Sequence, residues 1–391
     1  WLYAFIPGLT PSVLRAVTMF SFIAIGKLIN RQGNVYNTMA ATAFCLLLYN
    51  PYLIVSVGFQ LSFAAVFGIV YVHPYLHRRV ELKNRVLHYL WETTSISIAA
   101  QLATFALGLL YFHQFPNYFL LTNLVVILAS NGILIGGILV LATSVITPLA
   151  HWTGVLLTGL IKFMNLFVFW IEGLPYSVTT QIYITTPQFW LIAGIITFLI
   201  LTIVQRRLAI SILAFLCAGC FSALQWVHHQ EEQNRTQFIV YHIKGHTAID
   251  FISHGHCYTF TDHQLRYYPT KERFHVAPYR MKSQVTAINL ASELPYRETR
   301  FGIIIRFGGK NFLIRQTENL QAPPPGFPAD FIIFANQKEK HFQTVQSAIP
   351  TALCIFDSSN SIAYVNRIRQ TSVNEDLVYS VRHRGACQQN L

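Results

Sequence analysis

NPYLIVSVGFQLSFAAVFGI, residues 50–69, is almost wholly apolar. About twenty such residues suffice to cross the hydrocarbon core of a bilayer. Yet the stretch opens on the helix breaker Asn50-Pro51 and carries Gly58, Gln60 and Ser62 where a plain lipid-facing span would carry Leu. Polar groups at that depth face other helices or a water-filled path. The stretch reads as part of a polytopic membrane protein whose interior handles something hydrophilic.

Composition points the same way. Of 391 residues, 53% are hydrophobic and 11% charged, against roughly 25% charged in a soluble domain. Residues 1–227 contain no Asp, three Glu (Glu81, Glu92, Glu172) and ten Lys and Arg, a net of +7. Residues 228–391 hold the other eighteen Lys and Arg and thirteen Asp and Glu, a net of +5. The shift marks a boundary between a membrane domain, 1–227, and a soluble domain, 228–391, large enough for its own core.

Hydropathy predicts spans at 14–30, 37–49, 52–76, 88–113, 118–147, 153–171, 189–204 and 208–227. The second is short and abuts Asn50-Pro51, so it reads as a half-helix or one limb of a broken helix. The fifth contains Ser130-Asn131-Gly132, where a kink or break is expected. Basic residues orient the chain. The loop 77–85 carries four, Gln205-Arg206-Arg207 carries two and Arg31 sits in a third loop. The loops Gln114–Asn117 and Gly173–Gln188 carry none. Alternating spans put the three basic loops on one side and both uncharged loops on the other. The positive-inside rule then makes the soluble domain extracytoplasmic.

Polar residues within or at the edge of these runs are the candidates for chemistry: Arg15, Gln60, Ser62, Glu92, Gln101, Asn123, Asn131, Asn165 and Glu172. The plain alternative is hydrogen bonding between helices. Arg15 and Gln60 stand out because each sits beside a helix break, Thr10-Pro11 or Asn50-Pro51, where a half-helix end can meet a polar solute. Phe59, Phe63, Tyr111 and Phe112 lie near the same segments, as stacking surfaces or as core. Cys217 and Cys220 form a CxxC inside an apolar run and read as helix packing. Cys257, Cys354 and Cys387 lack zinc-site spacing. The opening WLYAFIPGLTPSVLRA reads as the middle of a longer chain.

From Gln237 the pattern changes to short apolar runs between polar turns: FIVYHIK, TAIDFI, HCYTFTD, FGIIIRF, NFLIRQ, FIIFA and TALCIFD. Runs of this length and composition are strands. Residues 337–349 are predicted to form a helix and Gly308-Gly309-Lys310 a hairpin turn. The expectation is a β-rich α/β domain with a βαβ unit near 331–357.

Pro11-Ser12 with Arg15-Ala16, Asn50-Pro51 with Gly58-Phe59-Gln60-Leu61-Ser62-Phe63, Tyr111-Phe112 with Phe115 and Asn123-Leu124, and Leu174-Pro175 follow one another in an order that resembles the competence domain of the ComEC family. These bacterial inner-membrane proteins pass one DNA strand into the cytoplasm during natural transformation. Ala106 and Leu128 depart from the resemblance, standing where the family often has proline. The family's N-terminal soluble domain and the spans after it have no counterpart here. The resemblance implies a multi-pass inner-membrane channel for single-stranded DNA, an outer DNA receptor and a cytoplasmic motor, since no Walker A sequence is present. A homo-oligomer is left open.

In many ComEC relatives the C-terminal domain resembles a metallo-β-lactamase and is thought to degrade the strand that is not imported. That chemistry needs an H-x-[HD]-x-D-H ligand cluster after an apolar strand. Here Asn336 stands where the first His belongs, Lys338 and Lys340 replace ligands, and His341 survives. Two ammonium groups repel a divalent cation. The soluble domain is therefore read as a degenerate metallo-β-lactamase-like domain with no metal, no cofactor and no catalytic residue. A rival metal site in His242, His246, His254, His256 and His263 lacks a completing carboxylate or thiol arrangement. Arg266, Lys271, Arg273, Arg280 and Lys282, interleaved with Tyr267, Tyr268 and Tyr279, form a candidate DNA-facing surface. A membrane-tethered metal-dependent nuclease and a transporter of another anionic solute are the alternatives.

Overall fold

The computed structural model describes residues 1–29, 33–80, 82–262, 265–316, 320–335, 342–371 and 375–391. They fall into two compact units, Trp1–Ser222 and Ala223–Leu391.

The helices of the apolar part are α1 (Leu2–Phe5), α2 (Pro11–Leu28), α3 (Val35–Tyr49), α4 (Val57–His77), α5 (Arg85–Phe112), α6 (Phe119–Thr143), α7 (Thr147–Glu172), α8 (Thr186–Gln205) and α9 (Ala209–Gln233). Among the described residues, seven of these are long and apolar enough to cross a membrane: α2 and α4 to α9. The protein is a multi-pass membrane protein. Pro11 at the first helical position presets α2. The Asn34 and Asn84 side chains accept from the amides of Tyr36 and Val86, both at 2.9 Å, and start α3 and α5. With 15 residues, α3 is about 22 Å long, short of the roughly 30 Å hydrocarbon core.

α4 and α5 form the tightest helix pair. A Cβ on Gly68 would stand 2.6 Å from the Ala99 carbonyl oxygen and collide with the Ala103 methyl. Small residues let two backbones approach where lipid offers no hydrophobic drive. Elsewhere Cys217 Sγ lies against Gly194 of α8, 3.4 Å from where a Cβ there would stand, so this cysteine does pack between helices. Of the kink or break expected at Ser130-Asn131-Gly132, the break is not formed: α6 runs continuously across it. The spans meet instead at the turn Ser144–Ile146, ahead of Pro148 at the start of α7.

Two short contacts report which loops share an end of this unit. β1 (Phe115–Pro116) pairs antiparallel with β2 (Val178–Thr179), joining the two uncharged loops. The Asn117 amide seals the ribbon, donating to the Tyr176 carbonyl at 2.7 Å and to Thr179 Oγ1 at 2.9 Å. At the basic loops, Arg79 Nη2 donates to the Ile203 carbonyl near the end of α8, at 3.2 Å.

The second unit comprises β3 (Thr236–Val240), β4 (Ala248–Ser253), β5 (His256–Thr261), α10 (Pro269–His275), α11 (Ala277–Lys282), β6 (Ala287–Leu290), β7 (Tyr296–Thr299), β8 (Gly302–Phe307), β9 (Lys310–Arg315), β10 (Phe331–Phe334), α12 (Phe342–Ala348), β11 (Leu353–Phe356), α13 (Ile362–Thr371), β12 (Val378–Ser380), α14 (Val381–Arg384) and β13 (Cys387–Asn390). The strands make a six-stranded sheet, β12-β11-β10-β9-β8-β7, and a five-stranded sheet, β13-β3-β4-β5-β6. Both are mixed. β9, β10, β11 and β12 run parallel, with Ile333 paired to Ile355 on one side and Ile314 on the other.

Period-two alternation sorts the side chains into layers. Phe238, Val240, Ile249 and Phe251 face Ile305, Phe312, Ile314, Ile333 and Ile355 in a core between the sheets. Ile332, Phe334 and Phe356 point the other way, under α12 and α13 through Phe342, Val345, Val365 and Ile368. Ile239, Tyr241, Ile252 and Cys257 pack under the α10–α11 side through Val276 and Tyr279. Each expected apolar run carries a strand, and β10–α12–β11 is the expected βαβ unit. Gly308 and Gly309, at φ +57° and +76°, make the two-residue hairpin turn that requires left-handed backbone.

Gly68→Val is expected to force α4 and α5 apart and lower the melting temperature of the full chain in detergent by several degrees. Gly137→Val, where a Cβ meets nothing within 4 Å, is expected to leave it unchanged.

Candidate functional site

The membrane unit's polar features gather where α3 gives way to α4. Asn50 leaves the helix in an extended conformation, φ −150°, because Pro51 cannot donate and excludes helical backbone from the residue before it. Asn50 Oδ1 then accepts from the Tyr52 amide at 3.0 Å and starts a short 3-10 turn, Pro51–Val55. The turn exposes carbonyls that hydrocarbon cannot satisfy. Gln60, one turn into α4, reaches back and donates from Nε2 to the Ile54 carbonyl at 2.8 Å. Its Oε1 accepts from the Tyr111 hydroxyl of α5, also at 2.8 Å. Both ends of the Gln60 amide are thus used to pin the break.

Beside this clasp lies a cavity of about 520 Å³ between α2, α4, α5 and the β1 segment. Its polar lining is Ser12, Ser62, Gln101, Thr104 and Gln114, and Phe105, Phe112 and Phe115 supply aromatic walls. The structure therefore brings Ser62 and Gln101 together. Arg15 sits one turn beyond Ser12, with its guanidinium carbon 6.0 Å from the centre of the Phe63 ring, a cation–π arrangement. Among the described residues, its Nε is buried without a hydrogen-bond partner.

The other candidates lie apart. Glu92, nine residues before Gln101 on α5, is about 13 Å away along the helix axis. Asn123 is half-buried on α6. Of the aromatics, Phe59 is buried against Phe63, ring centres 4.4 Å apart, and Tyr111 is held by Gln60. Phe112 lines the cavity and is more than half exposed.

Residues 1–209, which contain this whole arrangement, match the family model described as competence protein, and residues 238–391 match the one described as ComEC C-terminal domain. The chain belongs to the ComEC family. It is 35% identical over 119 residues to ComE operon protein 3 of Bacillus subtilis (strain 168). That match takes in 29% of this chain and 14% of the relative, so it spans about a seventh of the relative's length. No solved structure matches the chain.

In the ComEC C-terminal unit, Asn336, Lys338, Lys340 and His341 lie outside the described residues, as does His263. Among the described residues, no group of three His, Cys, Asp or Glu is arranged to hold a metal ion. The remaining histidines of the cluster are dispersed. His242 Nδ1 bonds the Val381 carbonyl at 2.9 Å. His246 bridges Asp262 at 3.3 Å and Lys271 Nζ at 2.9 Å. The lysine can only donate, so His246 Nε2 accepts and its Nδ1 carries the proton toward Asp262. His254 occupies the β4–β5 turn with Gly255, and His256 is exposed.

The basic set needs one correction. Arg280 is buried, not a surface cation: it binds Asp250 in bidentate fashion at 2.6 and 3.0 Å and also reaches Glu272 at 2.8 Å and Thr259 at 3.0 Å. Its planar fork matches a carboxylate that is itself fully buried in β4. Lys271 is engaged with His246 and stacks on Tyr268 at 4.6 Å. Arg273 is exposed, Lys282 half-buried at the end of α11, and Arg266 lies in the turn Leu265–Tyr267.

Sequence reading passed over Asp357, at the carboxyl end of β11. It is buried and accepts from Thr247, from the Ser359 hydroxyl and its amide at 3.0 Å, and from Asn360 Nδ2 at 2.9 Å. Burial pushes its carboxyl up from 3.8 to about 6, while those hydrogen bonds pull the other way. Folding thus tightens proton binding, so the contribution of Asp357 to stability is greatest below about pH 4 and declines as pH rises through about 6. The change is on the order of 3 kcal/mol. Unfolding of the C-terminal unit within the full chain, followed from pH 4 to 7, is expected to show Asp357→Asn gaining on the wild type across that window and then levelling. A difference independent of pH contradicts this.

Proposed function

We propose that this chain is an inner-membrane channel component that passes single-stranded DNA into the cytoplasm during natural transformation, with a non-catalytic C-terminal unit on the extracytoplasmic side. The observation that carries the reading is the cavity where Ser62 and Gln101 meet, inside a membrane half with no Asp and a net charge of +7. A DNA strand carries one negative charge per nucleotide, so its conduit needs donors and cations and few carboxylates. Arg15, with a buried donor left over, supplies positive charge one turn from the cavity lining.

Sidedness follows from the basic loops. Arg79 meets the end of α8 near Arg206 and Arg207, while the uncharged loops pair through β1 and β2 at their own end. The positive-inside rule assigns the basic end to the cytoplasm. The non-catalytic reading rests on the sequence Asn336-Gln337-Lys338-Glu339-Lys340-His341, in which lysines occupy ligand positions. On the outer side the basic set Arg266, Lys271, Arg273 and Lys282 is the candidate DNA-facing surface, with Arg280 withdrawn into the core. An outer receptor delivers the DNA and a cytoplasmic motor draws it in; a homo-oligomer is compatible with the exposed apolar helix faces.

The test is uptake of labelled DNA into a nuclease-resistant cytoplasmic pool. Gln101→Leu and Arg15→Ala are each expected to lower it at least tenfold at normal protein level, and Ile138→Ala, on an exposed face of α6, to leave it unchanged. Undiminished uptake in both path variants contradicts the proposal.

A further inference from the structure

α4 and α5 border a second cavity, which shares no lining residue with the Ser62–Gln101 cavity. It has a volume of about 500 Å³ and lies between α4, α5 and α8. Ala64 and Gly68 of α4, Ala103 and Ala106 of α5 and Ala193 of α8 leave out the side-chain volume that would fill it. Phe67, Ile196, Ile200 and Leu201 wall it with hydrocarbon, and Tyr71 and Thr197 bring its two hydroxyls. Two hydroxyls are too few to hold a cluster of water. Left empty, a space this large would forfeit the dispersion contacts of every wall. Its volume falls in the range of small-molecule pockets, roughly 300–1,000 Å³. In a bilayer the apolar filler at hand is an acyl chain.

One end of the cavity leads to the basic loops. Val72 and Leu201 mark that end. Arg79 lies seven residues beyond Val72 and Arg206 five beyond Leu201, about 10 and 7 Å along the helix axes. The polar zone on each side of a bilayer core is roughly 5–8 Å deep, so these cations reach headgroup level when hydrocarbon fills the space below. The hydrogen bond from Arg79 to the Ile203 carbonyl ties the end of α4 to the end of α8. Arg78, Arg206 and Arg207 are exposed at the same end. With Lys83 and Arg85, loops 77–85 and 205–207 hold six cations against the one carboxylate of Glu81. Positive-inside bias explains cations in loops, but not their place at the mouth of an apolar cavity. Aromatic rings join the two regions. Phe67 stacks on Tyr71, ring centres 5.9 Å apart and 8° from parallel, and Tyr71 meets Tyr75 at 6.0 Å. Tyr75 is exposed beside the basic loop, where amphipathic rings settle at a membrane interface.

We propose that the α4–α5–α8 cavity seats an acyl chain of an anionic phospholipid whose phosphate is held by Arg78, Arg206 and Arg207. Guanidinium groups bind phosphate through paired N–H donors, and basic pockets between spans suit anionic headgroups. A zwitterionic lipid would bring its own ammonium into this field of cations. Arg79, already donating to Ile203, holds the two arms of the site together. The seated lipid braces α8 against the α4–α5 pair, and the site does not depend on what the chain transports.

The experiment is lipid titration of the delipidated full chain in detergent, with bound lipid counted by native mass spectrometry and stabilisation read from the melting temperature. Wild type is expected to bind one phosphatidylglycerol at least tenfold more tightly than phosphatidylcholine. The triple substitution Arg78→Gln, Arg206→Gln and Arg207→Gln is expected to remove that preference, and Ala193→Phe, which fills the cavity, to weaken both lipids tenfold or more. Lys310→Gln, in the C-terminal unit, is expected to change neither. The three arginines are exposed, so their variant reads the site even where Ala193→Phe fails to fold. Equal affinity of wild type for the two lipids, or a preference unchanged in the triple variant, overturns the proposal. A thermal shift from inorganic phosphate alone that matches the lipid's shows a simple anion site and overturns it too.

Discussion

A backbone carbonyl in hydrocarbon has no water to bond, and that constraint organises the membrane unit. The chain breaks at Asn50-Pro51, so a turn of 3-10 backbone sits where a continuous helix would have satisfied itself. Asn50 closes the amide side of the break, and Gln60 closes its carbonyl side at Ile54 while accepting from Tyr111. One side-chain amide thereby joins the turn, α4 and α5. The close approach of α4 and α5 at Gly68 lets that bridge reach, and the Ser62–Gln101 cavity opens beside it.

The second unit obeys a different rule. Two mixed sheets turn one face of their central strands inward and give the other to helices, so β3, β9, β10 and β11 are apolar on both faces. Two buried carboxylates inside the unit each anchor a hydrogen-bond network. Asp250 receives Arg280 and Tyr241 together, and Asp357 receives three residues at the strand ends. Such networks cost much if one partner is removed. Arg280 is for this reason a part of the core rather than of a binding surface.

Much of this was readable from residue order. The seven apolar runs of the C-terminal half are strands because Ile, Phe, Tyr and Thr at that length suit a pleated, buried surface. The long spans are helices because an uninterrupted apolar run of about twenty residues satisfies its own backbone hydrogen bonds in lipid only as a helix. β6, β7, β12 and β13 escaped notice, since YRET and CQQN are mostly polar, AINL and VYS are only four and three residues long, and all form strands only against a sheet already present. Gln60 stands out in the sequence as a polar residue beside a helix break, but its use depends on Ile54 and Tyr111, 51 residues away in the second case, and no spacing reveals that. Arg280 looked like its basic neighbours because burial is a property of the fold, not of the local string. The break expected in α6 failed for a plain reason: one Gly beside Ser and Asn weakens a helix without removing its hydrogen bonds, whereas Pro51 removes one.

A conduit for a polyanion requires the Ser62–Gln101 cavity to be wet while the faces around it are in lipid. It is tested most directly by labelling Ser62→Cys and Gln101→Cys, in a background free of Cys45, Cys217 and Cys220, with a membrane-impermeant thiol reagent in intact membranes. Rapid labelling is expected at both positions and none at Ile138→Cys on the exposed face of α6. Equal protection of all three would contradict it.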